Sequence, residues 1–175
     1  MVLHGSGRQL NLDLLTMTEH LWDLTANGLA RKIADGEVSS LEVIDAHLGR
    51  IEEVNGWLNA VTRVLADEAR AAAEDADKAV AAGDELGPLH GVPCTIKENI
   101  DVAGTATTQG LPVFADLISS VDAPLVERLR GAGAIPIGRT NLPELGLRIS
   151  TDLSLIHISE PTRRTPISYA VFCLK

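Results

Sequence analysis

The chain has 175 residues, one domain or part of a larger one on the usual scale of ~100–200 residues per domain, and its 45% hydrophobic and 22% charged content excludes a disordered or collagen-like composition. Fifteen Lys plus Arg against 24 Asp plus Glu give a net charge of −9 and a pI near 4.9, which argues against nucleic acid as the main partner and favours a small neutral substrate. No apolar run approaches the ~18 residues needed to cross a bilayer, residues 1–23 lack a signal-peptide pattern, and Cys94 and Cys173 form neither a disulfide framework nor a metal-ligand spacing, so we expect a cytoplasmic chain with no membrane partner, metal or cofactor.

The first element is a helix after Thr25, a capping residue that precedes Ala26, Leu29, Ala30 and Ile33 on one face, with Gly36 as the stop. Ser39-Ser40-Leu41-Glu42 forms a capping box. Behind it Leu41, Ile44, Leu48 and Ile51 recur at spacings of three and four, which predicts a second helix ending at Asn55-Gly56. Ala60-Val61-Thr62-Arg63-Val64 reads as a short strand. Residues 66–82 are an Ala-rich helix with a narrow apolar stripe of Leu65, Ala69, Ala72, Ala76 and Val80, closed by Gly83. Its acidic residues, Asp67, Glu68, Glu74, Asp75 and Asp77, have only small neighbours and read as a solvated face without a chemical role.

Gly87-Pro88-Leu89-His90-Gly91-Val92-Pro93 is too rich in Gly and Pro for a helix or strand and fixes one backbone path. Cys94-Thr95-Ile96 is then a strand that delivers Lys97, followed by Glu98, Asn99 and the small polar run of residues 104–110. Asp122 is expected to cap a further helix with Pro124 in its first turn, Leu125, Val126 and Leu129 facing inward, and Gly131-Ala132-Gly133 closing it. Residues 134–138 form a buried strand ending in the polar cluster Arg139-Thr140-Asn141. Helix, Gly turn and strand make an αβ unit, so the fold class is α/β with a mixed β-sheet flanked by helices.

A lysine at the end of an apolar strand, beside a rigid loop, can be kept from water while its amine faces a cleft. Burial can supply the roughly 4 kcal/mol that favours the neutral amine at pH 7. A neutral amine is a general base, able to deprotonate a serine hydroxyl directly or through a second hydroxyl. The competing reading is that Lys97 pairs with Glu98 or another surface carboxylate.

Residues 87–101, from Gly87-Pro88-Leu89-His90-Gly91-Val92-Pro93 through Ile96-Lys97-Glu98-Asn99, closely resemble the opening block of the amidase signature family. There, a Gly-Pro-Leu-x-Gly-Val/Ile-Pro segment leads by a strand into Val/Ile-Lys-Asp/Glu-Asn. Gly104, Thr107-Thr108, Asp122-Ala123-Pro124-Leu125-Val126 and Gly138-Arg139-Thr140-Asn141-Leu142-Pro143-Glu144 resemble its later blocks, and Gly36-Glu37-Val38-Ser39-Ser40 an earlier one. Several blocks in order, over about residues 24–152, carry more weight than any one motif. The resemblance implies the amidase signature fold, here its N-terminal portion, and hydrolysis of carboxylic amides by a Ser-Ser-Lys mechanism. Lys97 matches the catalytic lysine. The implied course is that a bridging serine with a cis peptide relays a proton to Lys97, a second serine attacks the amide carbonyl, backbone N–H groups hold the oxyanion, and water releases the acid.

Both family serines lie in Gly- and Ser-rich segments beyond the Thr-Asn-x-x-Glu block, and neither segment occurs in these 175 residues. Ser39-Ser40 and Ser119-Ser120 read as a cap and a turn. Residues 153–175 change character: they carry a net +2, leaving −11 for residues 1–152, and hold Tyr169 and Phe172, two of the five aromatics. We expect residues 1–152 to be the N-terminal part of an amidase signature domain and 153–175 a non-native tail of the kind that follows when a read runs out of coding sequence. An uninterrupted reading frame in the parent DNA would overturn that. The alternative is a genuine terminal strand over residues 167–174. The expectation is an amidase fragment, inactive by itself, whose full-length form acts on a small-molecule amide and admits a homodimer. Two rivals stay open: a non-catalytic binding module with a structural lysine, and the amide-hydrolysing subunit of a tRNA-dependent amidotransferase.

Overall fold

The computed structural model describes residues 20–147; the expectation for residues 153–175 lies outside them. A short 3-10 turn, Leu21–Asp23, leads into helix α1, Ala26–Ala34, whose N-terminus is capped by Thr25 Oγ1 accepting from the Gly28 N–H at 3.1 Å. Helix α2, Ser40–Leu58, opens on the full capping box between Ser39 and Glu42. Strand β1, Val61–Val64, and helix α3, Ala66–Ala82, follow, with Gly83 in the left-handed region ending α3. Strand β2, Pro93–Lys97, helix α4, Pro124–Gly131, and strand β3, Ile135–Thr140, complete the set.

The strands form one sheet in the order β1-β3-β2, with β3 antiparallel to β1 and parallel to β2. The mixed α/β architecture read from the sequence is therefore present. Central β3 is buried at all six positions. On one side Ile135 and Ile137 pack with Ile44 and Leu48 of α2 and Ala69 and Ala73 of α3; elsewhere Ile96 of β2 joins Val102 and Val126 of α4. A third cluster, Leu29, Ile33, Val43 and Val92, ties α1 and α2 to the loop before β2.

Four local expectations need correction. Helix α2 runs past Asn55-Gly56 to Leu58, and Asn59 in the left-handed region ends it. Asn55 stays helical because its side chain bridges the turn ahead, accepting from the N–H groups of Ala60 and Val61 and donating to Val61 O. The N-cap of α4 is Ala123, without a side-chain cap; Asp122 instead accepts from the Ala103 N–H at 2.7 Å and pairs with Arg130 at 2.8 Å. Leu125 is 53% exposed, so only Val126 of that turn is buried. Among the acidic residues of α3, Asp77 has a structural role, accepting from the first N–H groups of α2 at Ser40 (2.6 Å) and Leu41 (3.2 Å), where the helix dipole favours negative charge.

Candidate active site

The loop before β2 is held by backbone hydrogen bonds to the turn after α4: Leu89 N–H to Ala132 O and Gly91 N–H to Gly133 O, both at 2.9 Å. Gly91 has φ +72°, and a Cβ there would lie 2.2 Å from Ser40 Oγ, so only glycine lets the loop lie against the start of α2. The Ile135 N–H then donates to Val92 O and starts the β2–β3 ladder, in which Lys97 is registered with Thr140. Lys97 thus stands half-buried at the last position of β2, and among the described residues no strand pairs with the outer edge of β2.

The residues around it form a buried polar network. Among the described residues eight polar or charged side chains are buried, and six of them, Glu98, Thr105, Thr107, Thr108, Arg139 and Thr140, belong to the strand ends and to the loop that follows Lys97. Two bulges interrupt the ladders, the first of them at the Lys97 end of the sheet. Extra Thr62 in β1 sits between the pairs Val61–Thr140 and Arg63–Arg139, and extra Ile137 in β3 sits between Cys94–Pro136 and Thr95–Gly138. Thr62 Oγ1 donates to Glu98 Oε1, and also lies 3.2 Å from Arg139 O. Thr108 Oγ1 donates to Glu98 Oε2 at 2.8 Å, and Thr107 Oγ1 to Asp101 Oδ1 at 2.5 Å.

Lys97 makes no ion pair among the described residues. Glu98, the partner that local chemistry would assign it, is 3% exposed and has both carboxylate oxygens taken by threonines. Arg139 is fully buried, with Nη1 on Thr105 Oγ1 and Ala106 O and Nη2 on Lys97 O (3.2 Å) and Ile100 O (2.7 Å). Burial lowers the pKa of this guanidinium, and the charges of Glu98 and Asp101 oppose that loss. In the sequence Arg139 is one member of a polar cluster at a strand end, with nothing nearby along the chain to mark its role. The one local signal is an arginine directly after the apolar run of residues 134–138, where a charged side chain drawn into the interior needs acceptors there.

No serine joins Lys97 among the described residues. Ser39 is the α2 cap, Ser40 packs against Gly91, and Ser119 Oγ donates to Val121 O in a turn. Cys94 is a free thiol that burial pushes up to about 11, a poor nucleophile at neutral pH. A cavity of about 410 Å³ opens between α2 and the sheet, lined by Trp22, His47, Trp57, Thr95 and Ile137 among others; Lys97 does not line it. Among the described residues no helix is long and apolar enough to cross a membrane.

A family model described as Amidase matches residues 42–166. An indoleacetamide hydrolase of Bradyrhizobium diazoefficiens is 48% identical over 132 residues, covering 75% of this chain and 25% of that protein. A glutamyl-tRNA(Gln) amidotransferase subunit from a Synechococcus species is 40% identical, over 75% of this chain and 27% of its own length. Among solved structures, a fatty acid amide hydrolase superposes with TM-score 0.70 at 30% identity, over 74% of this chain and 23% of that one. The chain spans about a quarter of the length of these relatives.

Proposed function

This chain belongs to the Amidase family, and from that premise we propose that it carries the lysine of a Ser-Ser-Lys amide-hydrolysing centre, with Lys97 as general base. The observation that carries the reading is the position of Lys97: half-buried at a strand end, beside carboxylates already engaged by threonines, and in no ion pair among the described residues. A carboxylate partner would hold a lysine as the ammonium, which has no lone pair to accept a proton, and among the described residues Lys97 has no such partner. The neutral amine takes a proton from a bridging serine, which takes one from the nucleophilic serine as its oxygen bonds to the amide carbon. The C–N bond then breaks, the amine or ammonia leaves with a proton, and water hydrolyses the acyl ester.

Both serines must come from polypeptide outside these 175 residues, so the chain by itself is inactive: groups that act as a unit lose nearly all their effect when one is missing. The purified 175-residue chain should release no ammonia and show no serine-directed covalent labelling. An extended protein containing both serine segments should do both, and Lys97→Ala in it should abolish hydrolysis. Turnover by the short chain, or full activity of the Lys97→Ala enzyme, would refute the reading. The 48% identity to an indoleacetamide hydrolase makes a primary carboxamide the first substrate to assay. The similarity to glutamyl-tRNA(Gln) amidotransferases supports a second reading, an amide-hydrolysing component of such an assembly, which stable co-purification with partner chains would favour.

A further inference from the structure

We propose that Arg139 is a positioning residue for Lys97, its buried guanidinium locking the main chain at the strand end so that the amine keeps one direction. The inference rests on the reading of Lys97 as a base.

The chain leaves the sheet at Lys97 and turns at once, the Ile100 N–H returning to Lys97 O at 3.0 Å. The carbonyls of Lys97, Ile100 and Ala106 all lie within hydrogen-bond reach of one guanidinium, and among the described residues no strand pairs with the outer edge of β2. That guanidinium is Arg139: Nη2 donates to Lys97 O and Ile100 O, and Nη1 to Ala106 O and Thr105 Oγ1. Every one of these acceptors is neutral, and Arg139 forms no ion pair among the described residues.

The peptide that follows Lys97 is consequently held on both sides. Its carbonyl is fixed by Arg139 and Ile100, and its N–H, that of Glu98, donates to Thr140 O at 3.0 Å. With that plane fixed, the Cα–Cβ direction of Lys97 is fixed as well. A buried cation is an expensive way to fill a core position, and a well-packed apolar residue commonly serves stability as well or better. A planar fork has the particular ability to reach acceptors on two sides at once, which an ammonium on a single stem does not. The same side chain binds the loop of residues 104–110, through Thr105 and Ala106, to the end of β2.

The test is competitive acylation of the 175-residue chain with acetic anhydride from neutral to strongly alkaline pH, read residue by residue by mass spectrometry. Free Nα-acetyl-lysine amide in the same solution is the unperturbed reference, because the bond to Asp75 raises the pKa of Lys78; Lys32 and Lys78, surface lysines paired with Glu37 and Asp75, are followed beside it. If Lys97 is the base of the preceding reading, it acylates faster at neutral pH than the free reference. In Arg139→Met its reactivity at neutral pH should fall roughly tenfold toward that of the free reference, while the profiles of Lys32 and Lys78 stay unchanged. Thr105→Val, which removes one acceptor and keeps the buried charge, should give a smaller fall of about fivefold, the scale of one hydrogen bond.

An Arg139 that merely stabilises the fold would lower the unfolding midpoint and leave the Lys97 profile of the folded chain where it was; that result overturns the proposal. If Arg139→Met does not fold, Thr105→Val decides alone, and an unchanged Lys97 profile there overturns it equally. A parent chain in which Lys97 coincides with the free reference defeats instead the reading of Lys97 as a base, so the two failures are separable.

Discussion

Glu98 and His47 are the two buried titratable residues whose surroundings make sharp expectations at the scale of single side chains. Glu98 accepts two threonine hydroxyls, from Thr62 and Thr108. Glu98→Leu leaves the buried Thr108 hydroxyl without its acceptor, while Thr62 Oγ1 keeps Arg139 O within reach, and a buried unsatisfied donor costs about 1–3 kcal/mol. The urea midpoint should fall accordingly at unchanged slope. His47 is 7% exposed, with Nδ1 2.7 Å from Val43 O and Nε2 without a partner. Desolvation of the imidazolium lowers its pKa below the ordinary 6.5, against the opposing pull of the Val43 carbonyl. Because the folded value is the depressed one, the unfolded chain takes up the proton first as pH falls. Stability should therefore be complete above about 6.5 and decline as pH drops from there through the folded value. Urea titrations at several pH values should show that decline, and His47→Leu should remove its share.

Helix ends dominate at the scale of elements. The start of α2 is satisfied from two directions, by Ser39 and Glu42 within the helix and by Asp77 across from α3. Ser39→Ala should cost about 1 kcal/mol. Asp77→Ala should cost about 1–2 kcal/mol, because it withdraws a charged acceptor from the same positive helix end and loosens α3 from α2. Both are read as shifts in denaturant midpoint, and an Asp77→Ala protein as stable as the parent would mean that the cross-helix contact contributes nothing. The capping box was legible from four consecutive residues because its partners are three apart in the chain. Asp77 was not, since its partners lie 36 and 37 positions away and an aspartate among alanines looks the same whether it faces water or another helix.

At the scale of the molecule, the described residues form a three-stranded sheet with apolar surface left over. Val113, Leu117, Ile118 and Val121 are each more than half exposed along the loop before α4, as are Leu145 and Leu147 near the last described residues. The outer edge of β2 has no strand beside it among the described residues. Exposed apolar side chains and an unpaired strand edge both promote association. The isolated chain should therefore self-associate with rising concentration in sedimentation velocity runs. Replacing Leu117 and Ile118 together by Lys should shift it toward monomer without lowering the unfolding midpoint, since neither side chain is buried. Unchanged association would place the contact surface elsewhere.

Local order was readable along the chain: α1, α3 and β2 follow from apolar spacing, caps and the Gly-Pro loop, because those signals act between residues a few positions apart. The position of Lys97 at the end of a strand followed from the same local grammar. What surrounds that lysine did not. The pairing of β3 with both β1 and β2, the bulge that turns Thr62 toward Glu98, and the burial of Arg139 among the carbonyls of Lys97, Ile100 and Ala106 join residues from about 30 to about 80 positions apart. Such contacts exist only once the chain has closed its loops, and no window along the sequence contains both partners.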